Sequence, residues 1–225
     1  MLYRTLWLHC LCAAMLGFAG AASAGTIPYP TPGTPITTAT YNFMAASTGN
    51  ITGTFIGSSA GDTDYIAMFG FVGGSWVDLT GCPQGASIVF SGNCYVFGNQ
   101  TTAQGTTANL GAVTAGQLLK FVGYDSGSGT LFSSIASENA DSDNHFYSTS
   151  LIAGQAYAGS PAGTFMGLED LLAAQGSDFD YNDDQYIFSN LVATVPVPEP
   201  GTLVLTGTAL AGIGGWRLRR KATAK

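Results

Sequence analysis

The chain has few charged residues, and almost all of its basic ones stand at its two ends. Charged residues make up 9% of the 225 positions, against roughly 25% in ordinary soluble domains. Between residues 25 and 195 the only basic residue is Lys120, which stands against thirteen carboxylates and leaves this part with a net charge of −12. Because such a surface repels the phosphate backbone, binding to nucleic acid is excluded.

Histidine is also scarce, which removes several kinds of catalytic site. His145 is the only histidine beyond residue 24, and a Ser–His–Asp triad cannot be assembled with conviction around a single ring. The sequence contains no P-loop and no dinucleotide-binding fingerprint. We therefore expect a protein that is not an enzyme, in which His145 is a hydrogen-bonded structural residue.

The N-terminal residues have the three parts of a secretory signal peptide. Arg4 supplies the positive charge, residues 6–18 are almost continuously apolar, and residues 22–24 are small (Ala-Ser-Ala). The alternative is a retained membrane anchor, but the apolar run is short for a bilayer span, which needs roughly 20 residues. We predict that residues 1–24 are a signal peptide, which signal peptidase removes by cutting between Ala24 and Gly25.

Export changes how the cysteines are interpreted. Cys10 and Cys12 would leave with the signal peptide, so that Cys82 and Cys94 remain in an oxidising compartment. A bond between them would close a short loop and stabilise the fold by roughly 3 kcal/mol in the chain-entropy description. We predict a disulfide between Cys82 and Cys94.

The last thirty residues, 196–225, form another ordered set of three parts. A proline-rich spacer comes first, residues 201–216 carry no charge, and a basic tail at 217–225 ends the chain. An apolar segment before a cationic cluster is a stop-transfer signal, so we predict a transmembrane helix over 201–216. Sixteen residues reach only about 24 Å of a roughly 30 Å hydrocarbon core, and Trp216 and snorkelling arginines would extend that reach. The alternative is a permanent membrane protein.

This tail resembles the PEP-CTERM sorting signal of Gram-negative bacteria. The residues that carry the resemblance are Pro198, Glu199 and Pro200 in the spacer and Arg217, Arg219 and Arg220 in the tail. The resemblance implies that an exosortase of the inner membrane recognises the tail and cuts near the Pro-Glu-Pro motif. The protein would be anchored in the inner membrane only transiently, and would then reach the cell surface or the extracellular space. Proteins of this family are associated with exopolysaccharide and biofilm, which implies a role in that matrix.

Between the two ends, the sequence pattern is that of an all-β protein. Apolar and aromatic runs of strand length alternate with glycine- and serine-rich turns, as in a β-sandwich or jelly roll. We predict a Pro/Thr-rich lead-in at 25–38 and a single β-sandwich domain at 39–195. The clearest predicted strands are 51–56, 64–72, 87–90, 93–97, 118–124 and 186–195, and residues 168–174 suggest a helical turn.

The sharpest feature inside this domain is a run of six carboxylates within residues 169–184, with no lysine or arginine among them. Like charges packed onto one loop repel each other unless a cation neutralises them, and hard oxygen ligands at alternate positions suit Ca²⁺. An EF-hand is excluded because its glycine and its final glutamate are missing. The alternatives are a solvated acidic loop or a pair of catalytic carboxylates. We predict a structural Ca²⁺ site with ligands among Glu169, Asp170, Asp178, Asp180, Asn182 and Asp183.

The same stretch is similar to the end of an uncharacterised exported β-domain that occurs in PEP-CTERM proteins, for which calcium binding is expected. The matching elements are Glu-Asp-Leu at 169–171, Ser-Asp-x-Asp-x-Asn-Asp at 177–183 and Asn-His-x-Tyr-Ser at 144–148. The acidic stretch 138–145 is expected to be an exposed loop rather than part of the ion's shell. Residues 61–64 (Gly-Asp-Thr-Asp) are expected to be a simple turn before a strand.

These observations favour a non-catalytic protein of the cell surface or extracellular matrix, braced by Ca²⁺ and one disulfide. A carbohydrate-binding module is the alternative, with Trp76 or the tyrosines as stacking platforms for sugar rings. A polysaccharide hydrolase is the weakest of the three hypotheses.

Overall fold

The computed structural model describes residues 41–81 and 87–195, and this part of the chain consists of strands joined by turns. The thirteen strands are β1 Asn42–Ala45, β2 Gly49–Ser58, β3 Asp64–Val72, β4 Ser75–Asp78, β5 Ile88–Phe90, β6 Asn93–Tyr95, β7 Thr107–Val113, β8 Leu118–Asp125, β9 Thr130–Ser133, β10 Phe146–Leu151, β11 Gly163–Leu168, β12 Asp184–Phe188 and β13 Leu191–Thr194. Two short 3-10 turns, Ala136–Glu138 and Ala173–Gln175, complete the described structure. The prediction of an all-β protein is confirmed.

The strands form two large antiparallel sheets and one small hairpin. The first sheet has the order β13-β1-β8-β3-β4, and β9 pairs with the C-terminal half of β8, residues 122–125. The second sheet has the order β10-β11-β12-β2-β7, while β5 and β6 form the hairpin. Consecutive strands therefore often lie in different sheets, and each sheet contains strands from distant parts of the chain.

Both sheets contribute side chains to one hydrophobic core. Phe43 and Phe121 come from the first sheet, Phe55 and Phe188 come from the second, and all four are buried. The rings of Phe121 and Phe188 lie 4.8 Å apart between their centroids, so the two sheets are in direct contact. This burial follows from the period-2 alternation of the strands, which directs every second side chain to the same face. The jelly-roll form of the sandwich stays a prediction.

The chain changes sheets near its end, which the sequence did not indicate. Residues 186–195 were expected to be one strand, but β12 belongs to the second sheet and β13 to the first. The break lies at Asn190, which adopts a left-handed conformation (φ 57°). Its side chain holds the turn against the residues that follow β1, because Oδ1 accepts from the Ser47 amide (2.8 Å) and Nδ2 donates to the Ser47 carbonyl (2.9 Å).

Two other predicted elements are shorter than expected. The strand predicted over 93–97 ends at Tyr95, because Phe97 has a left-handed backbone (φ 62°) that a strand cannot contain. The helical turn predicted over 168–174 is reduced to the 3-10 turn Ala173–Gln175, since Leu168 is still part of β11.

The first and last strands of the described domain are neighbours at one side of the first sheet. β1 and β13 pair antiparallel over four residue pairs, from Asn42 opposite Thr194 to Ala45 opposite Leu191. The domain therefore begins and ends at the same place.

Several predictions fall on residues outside the described ranges. These are the signal peptide 1–24, the lead-in 25–38, the transmembrane helix 201–216, the sorting residues of the tail, and Cys82. No helix within 41–81 and 87–195 is both long and apolar enough to cross a bilayer. Cys94 lies buried in β6, and its disulfide with Cys82 stays a prediction.

Candidate metal centre

The acidic loop, which we define as residues 176–182, leads from the 3-10 turn after β11 towards strand β12. Gly176 ends that turn in a left-handed conformation (φ 96°). Phe179 and Tyr181 are also left-handed (φ 49° and 58°), a state that costs a residue other than glycine about 1–3 kcal/mol and needs support from its surroundings. The two aromatic side chains are buried, whereas Asp178 is exposed and Asp180 is partly exposed.

Buried contacts of the aromatic residues provide that support. The Tyr181 hydroxyl donates to the carbonyl of Asn144 (2.9 Å), and the Phe179 ring lies 6.1 Å from the ring of His145. The backbone of Tyr181 also lies directly on strand β11, where a Cβ atom on Gly167 would overlap its carbonyl oxygen. Glycine at position 167 is therefore required for the loop to pack this closely.

This packing brings three carboxylates together at the loop. One oxygen each from Glu169, Asp178 and Asp180 lie within 4.8 Å of one another, an arrangement suited to one metal ion. Glu169 is only 1% exposed. Its Oε1 accepts from the Ser177 hydroxyl (2.6 Å), whereas its buried Oε2 has no hydrogen-bond partner among the described residues.

The electrostatic state of Glu169 reflects this burial. Burial raises the pKa of Glu169 to about 7, and the charges of Asp178 and Asp180 add to the rise, while Ser177 and the Tyr181 amide oppose it. Burial also raises the pKa of Asp180. Both shifts mean that the carboxylates lack a positive partner, which a bound cation would supply.

The remaining predicted ligands lie around this trio rather than in it. Asn182 donates from its side-chain amide to Asp180, and its backbone N–H donates to Asp180 Oδ1 (3.0 Å). Asp183 turns the other way, because its Oδ2 accepts from the Asp170 amide (3.0 Å). The structure therefore brings Glu169, Asp178 and Asp180 together and places Asp170 and Asp183 in a second group.

The acidic stretch 138–145 is only partly the exposed loop that the sequence suggested, because Glu138, Ala140 and Ser142 are exposed whereas Asn139, Asn144 and His145 are buried. His145 is fully buried, with Nδ1 3.0 Å from the carbonyl oxygen of Glu169 and Nε2 3.2 Å from both oxygens of Asp141. Asp141 also accepts from the Ala173 amide (3.1 Å). His145 is thus a hydrogen-bonded structural residue that positions the segment carrying Glu169. Asp141 pairs with His145 and is not part of the carboxylate group at the loop.

A second set of carboxylates, for which the sequence predicted no site, is buried beneath this loop. Asp64 begins β3 and lies directly opposite Asp125 at the end of β8, while Asp184 begins β12. Asp64 and Asp184 have no exposed surface, and Asp125 is 2% exposed. The turn expected at residues 61–64 therefore ends in a buried carboxyl group, that of Asp64. The available signal was an aspartate adjoining an apolar run, at the start of β3 and again at the start of β12.

Comparison with known families identifies the C-terminal tail. Residues 196–221 match the PEP-CTERM protein-sorting motif, which confirms the sorting signal predicted there and implies an exported protein that is processed by an exosortase. The chain matches no curated protein and no solved structure. The similarity of the acidic stretch to an exported β-domain stays a prediction.

Proposed function

We propose that this exosortase-sorted protein is a non-catalytic structural component of the cell surface or extracellular matrix, whose β-sandwich is braced by Ca²⁺ at the acidic loop. The observation that carries the proposal is the convergence of Glu169, Asp178 and Asp180 on one point, with a buried carboxylate oxygen that has no partner among the described residues. Export supports the proposal further, because Ca²⁺ sites of extracellular modules bind with dissociation constants of about 0.1–1 mM.

Charge supports a bound cation over a solvated acidic loop. Lys120 is the single basic residue of the segment 25–195, and it is engaged in an ion pair with Glu138 (3.0 Å). No lysine or arginine of this segment is therefore left to neutralise the loop. Six oxygen ligands or more satisfy Ca²⁺, and the three carboxylates can supply several of them while water supplies the rest.

Accessibility supports a structural role over a catalytic one. A glycosidase needs a carboxylic acid with a raised pKa, and Glu169 has one. Its side chain is only 1% exposed, however, and neither Asp64 nor Asp184 exposes any surface. A polysaccharide cannot reach these groups, whereas a metal ion can be enclosed by them.

Thermal unfolding of the full chain in mild detergent tests the calcium site. At a Ca²⁺ concentration of 100 times Kd, binding to the folded state adds about 2.7 kcal/mol, which raises the melting temperature by roughly 5–11 °C for a chain of this size. We expect the rise to be clearly smaller in Asp178→Asn/Asp180→Asn and to stay at full size in the matched control Asp143→Asn, which removes a carboxylate outside the loop. An equal rise in all three proteins would refute the site.

Cell fractionation tests the proposed location. We expect the unmodified chain at the cell surface or in the medium, and Glu199→Ala in the inner-membrane fraction, since the substitution disrupts the Pro-Glu-Pro motif. A surface protein that co-sediments with the producer's exopolysaccharide, and a matrix that weakens in its absence, would support the structural role. An unchanged matrix in a strain without the protein would contradict that role.

A carbohydrate-binding module is a second candidate, favoured by an aromatic pair at the edge of the first sheet. Phe71 is 43% exposed, and its ring centroid lies 5.1 Å from that of the partly buried Trp76. One face of Trp76 is already covered by Lys120, whose Nζ lies 5.2 Å from the ring centroid. Loss of glycan retention in Trp76→Ala would favour this candidate, and the absence of binding to any glycan array would exclude it.

A further inference from the structure

The carboxylates buried beneath the acidic loop form a group of their own, which we call the inner cluster and define as Asp64, Asp170, Asp183 and Asp184. The two sheets bring it together. Asp64 begins β3 in the first sheet, Asp184 begins β12 in the second, and Asp170 follows the end of β11. Residues that are remote in sequence therefore meet at one end of the core.

The inner cluster is shielded from solvent and short of hydrogen-bond donors. Asp64 and Asp184 are fully buried, and Asp170 is 6% exposed. Among the described residues, Asp64 Oδ1 and both carboxylate oxygens of Asp184 have no partner at ordinary hydrogen-bond distance, although Asn99 and Ser58 lie near enough to Asp184 to oppose the rise of its pKa. The hydroxyl of Tyr186, also fully buried, faces Asp184 and likewise lacks a partner within hydrogen-bond distance. Buried polar atoms in folded proteins are nearly always satisfied, so these oxygens call for a ligand.

Two other acids of the domain show how a carboxylate is normally hydrogen-bonded in this fold. Asp125 lies opposite Asp64, and its oxygens accept from the amides of Gly127 (2.7 Å) and Ser128 (3.2 Å). Asp78 accepts from the amides of Thr80 and Cys94. By contrast, Asp64 has a donor only at Oδ2, where the Asn99 side-chain amide lies 3.1 Å away.

We infer that the inner cluster binds a second divalent cation, distinct from the one at the acidic loop, with the unpartnered carboxylate oxygens of Asp64 and Asp184 as its ligands. The chemistry of the donors, which are all oxygens and mostly anionic, selects a hard cation such as Ca²⁺. The ion would supply the positive charge that no side chain provides, since Lys120 pairs with Glu138. Asn99 is a supporting residue: its Oδ1 accepts from the Asp64 amide (3.1 Å) and fixes the start of β3.

A route for the ion is present beside the cluster. Ser58 and Asn99 line a polar cleft of about 510 Å³ that opens to the surface. The same Asn99 side chain donates to Ser58 Oγ (3.1 Å) and to Asp64. Asp64 and Asp184 do not line the cleft, so on this proposal an ion would reach them from the cleft past the Asn99 side chain.

The inner site is independent of the loop site, because the two share no ligand. Counting bound Ca²⁺ on the full chain, by equilibrium dialysis and metal analysis, tests the two sites separately. We expect two ions per chain in the unmodified protein and in Asp143→Asn. We expect one ion in Asp184→Asn and one in Asp178→Asn/Asp180→Asn.

The outcomes distinguish failure of one site from failure of the other. A single ion that is lost only in Asp184→Asn would support the inner site and contradict the loop site. A single ion lost only in the loop variant, or no loss of Ca²⁺ in a folded Asp184→Asn, would overturn the inner site. Far-UV circular dichroism establishes whether Asp184→Asn is folded, and Asp64→Asn is the replacement if it is not.

Infrared spectroscopy gives a second measurement that needs no substitution. Without Ca²⁺, fully buried carboxylates with no cationic partner take up protons, so the chelated protein should show the carbonyl band of a protonated carboxylic acid at neutral pH. We expect saturating Ca²⁺ to abolish most of this band, because a bound ion displaces the protons. An undiminished band in saturating Ca²⁺ would mean that the inner cluster shares protons instead of binding a metal, and the inference would be wrong.

Discussion

Removal of calcium should give this protein a stability that falls as the pH rises, and Glu169 is the residue on which this can be measured. Its pKa is raised from 4.5 to about 7, first by burial and then by the charges of Asp178 and Asp180 that face it. In a chelator, the folded state therefore holds the proton over a pH range in which the unfolded chain has released it. Folding is favoured at low pH, and this advantage is lost as the pH rises from the unfolded pKa through the folded one.

The size of the effect follows from the same pKa values. One pKa unit corresponds to about 1.36 kcal/mol, so the deprotonation of Glu169 lowers the free energy of unfolding by at most about 3 kcal/mol. For a chain of this length the melting temperature would fall by roughly 6–12 °C. The pKa of Asp64 is raised to about 10 and that of Asp183 to about 8, in both cases mainly by burial, so they act in the same direction.

Thermal unfolding of the unmodified chain and Glu169→Gln, in chelator and at several pH values, isolates the part due to Glu169. Glutamine carries no charge at any pH. The stability of the variant should therefore rise relative to that of the unmodified chain as the pH rises from about 5 to about 7. Asp143→Asn, as the control, should follow the unmodified chain. Saturating Ca²⁺ should raise the free energy of unfolding of the unmodified chain by more than that of the variant, which keeps only the inner site intact. Parallel curves for the unmodified chain and Glu169→Gln would show that the Glu169 carboxyl is not buried as described.

Three substitutions test whether stabilisation by Ca²⁺ at the loop is independent of packing in the hydrophobic core. Gly167→Ala drives a methyl group into the Tyr181 carbonyl, and should cost about 1–3 kcal/mol and reduce the stabilisation by Ca²⁺ in urea unfolding. Tyr181→Phe removes the hydrogen bond to Asn144 and should cost about 0.5–1.5 kcal/mol in the same assay. Phe121→Ala leaves a cavity between the sheets and should cost about 3–5 kcal/mol, with an unchanged gain from Ca²⁺; a changed gain would contradict the separation of core and loop.

The sequence predicted those strands whose apolar residues are continuous. The range 64–72 coincides with β3, and 118–124 differs from β8 by one residue. Strands such as β7 (Thr107–Val113) and β10 (Phe146–Leu151) were missed because threonine, serine, glycine and alanine occupy many of their positions. They are strands because neighbouring strands pair with them, and a tertiary cause of this kind leaves little trace in local composition.

The same distinction explains how much of the candidate site was predictable. Asp178 and Asp180 are two residues apart, so their proximity to each other could be inferred from spacing, and Glu169 was included through its short separation along the chain. Asp64 and Asp184 meet only because β3 and β12 belong to different sheets that share one core. Without the fold, an aspartate before an apolar run is typical of a turn, and nothing local indicates that it is fully buried.

The adjacency of β1 and β13 determines how the domain would respond to mechanical force. Because Asn42 lies opposite Thr194, the chain enters and leaves at the same end of one antiparallel pair. A pull between these two points does not shear the ladder along its length but opens it one residue pair after another, starting at the outermost pair. The four pairs between β1 and β13 would therefore yield first and at low force. The edge of the first sheet would then release chain length before the rest of the domain, and each released strand would take its own side chain, Phe43 or Leu191, out of the shared core.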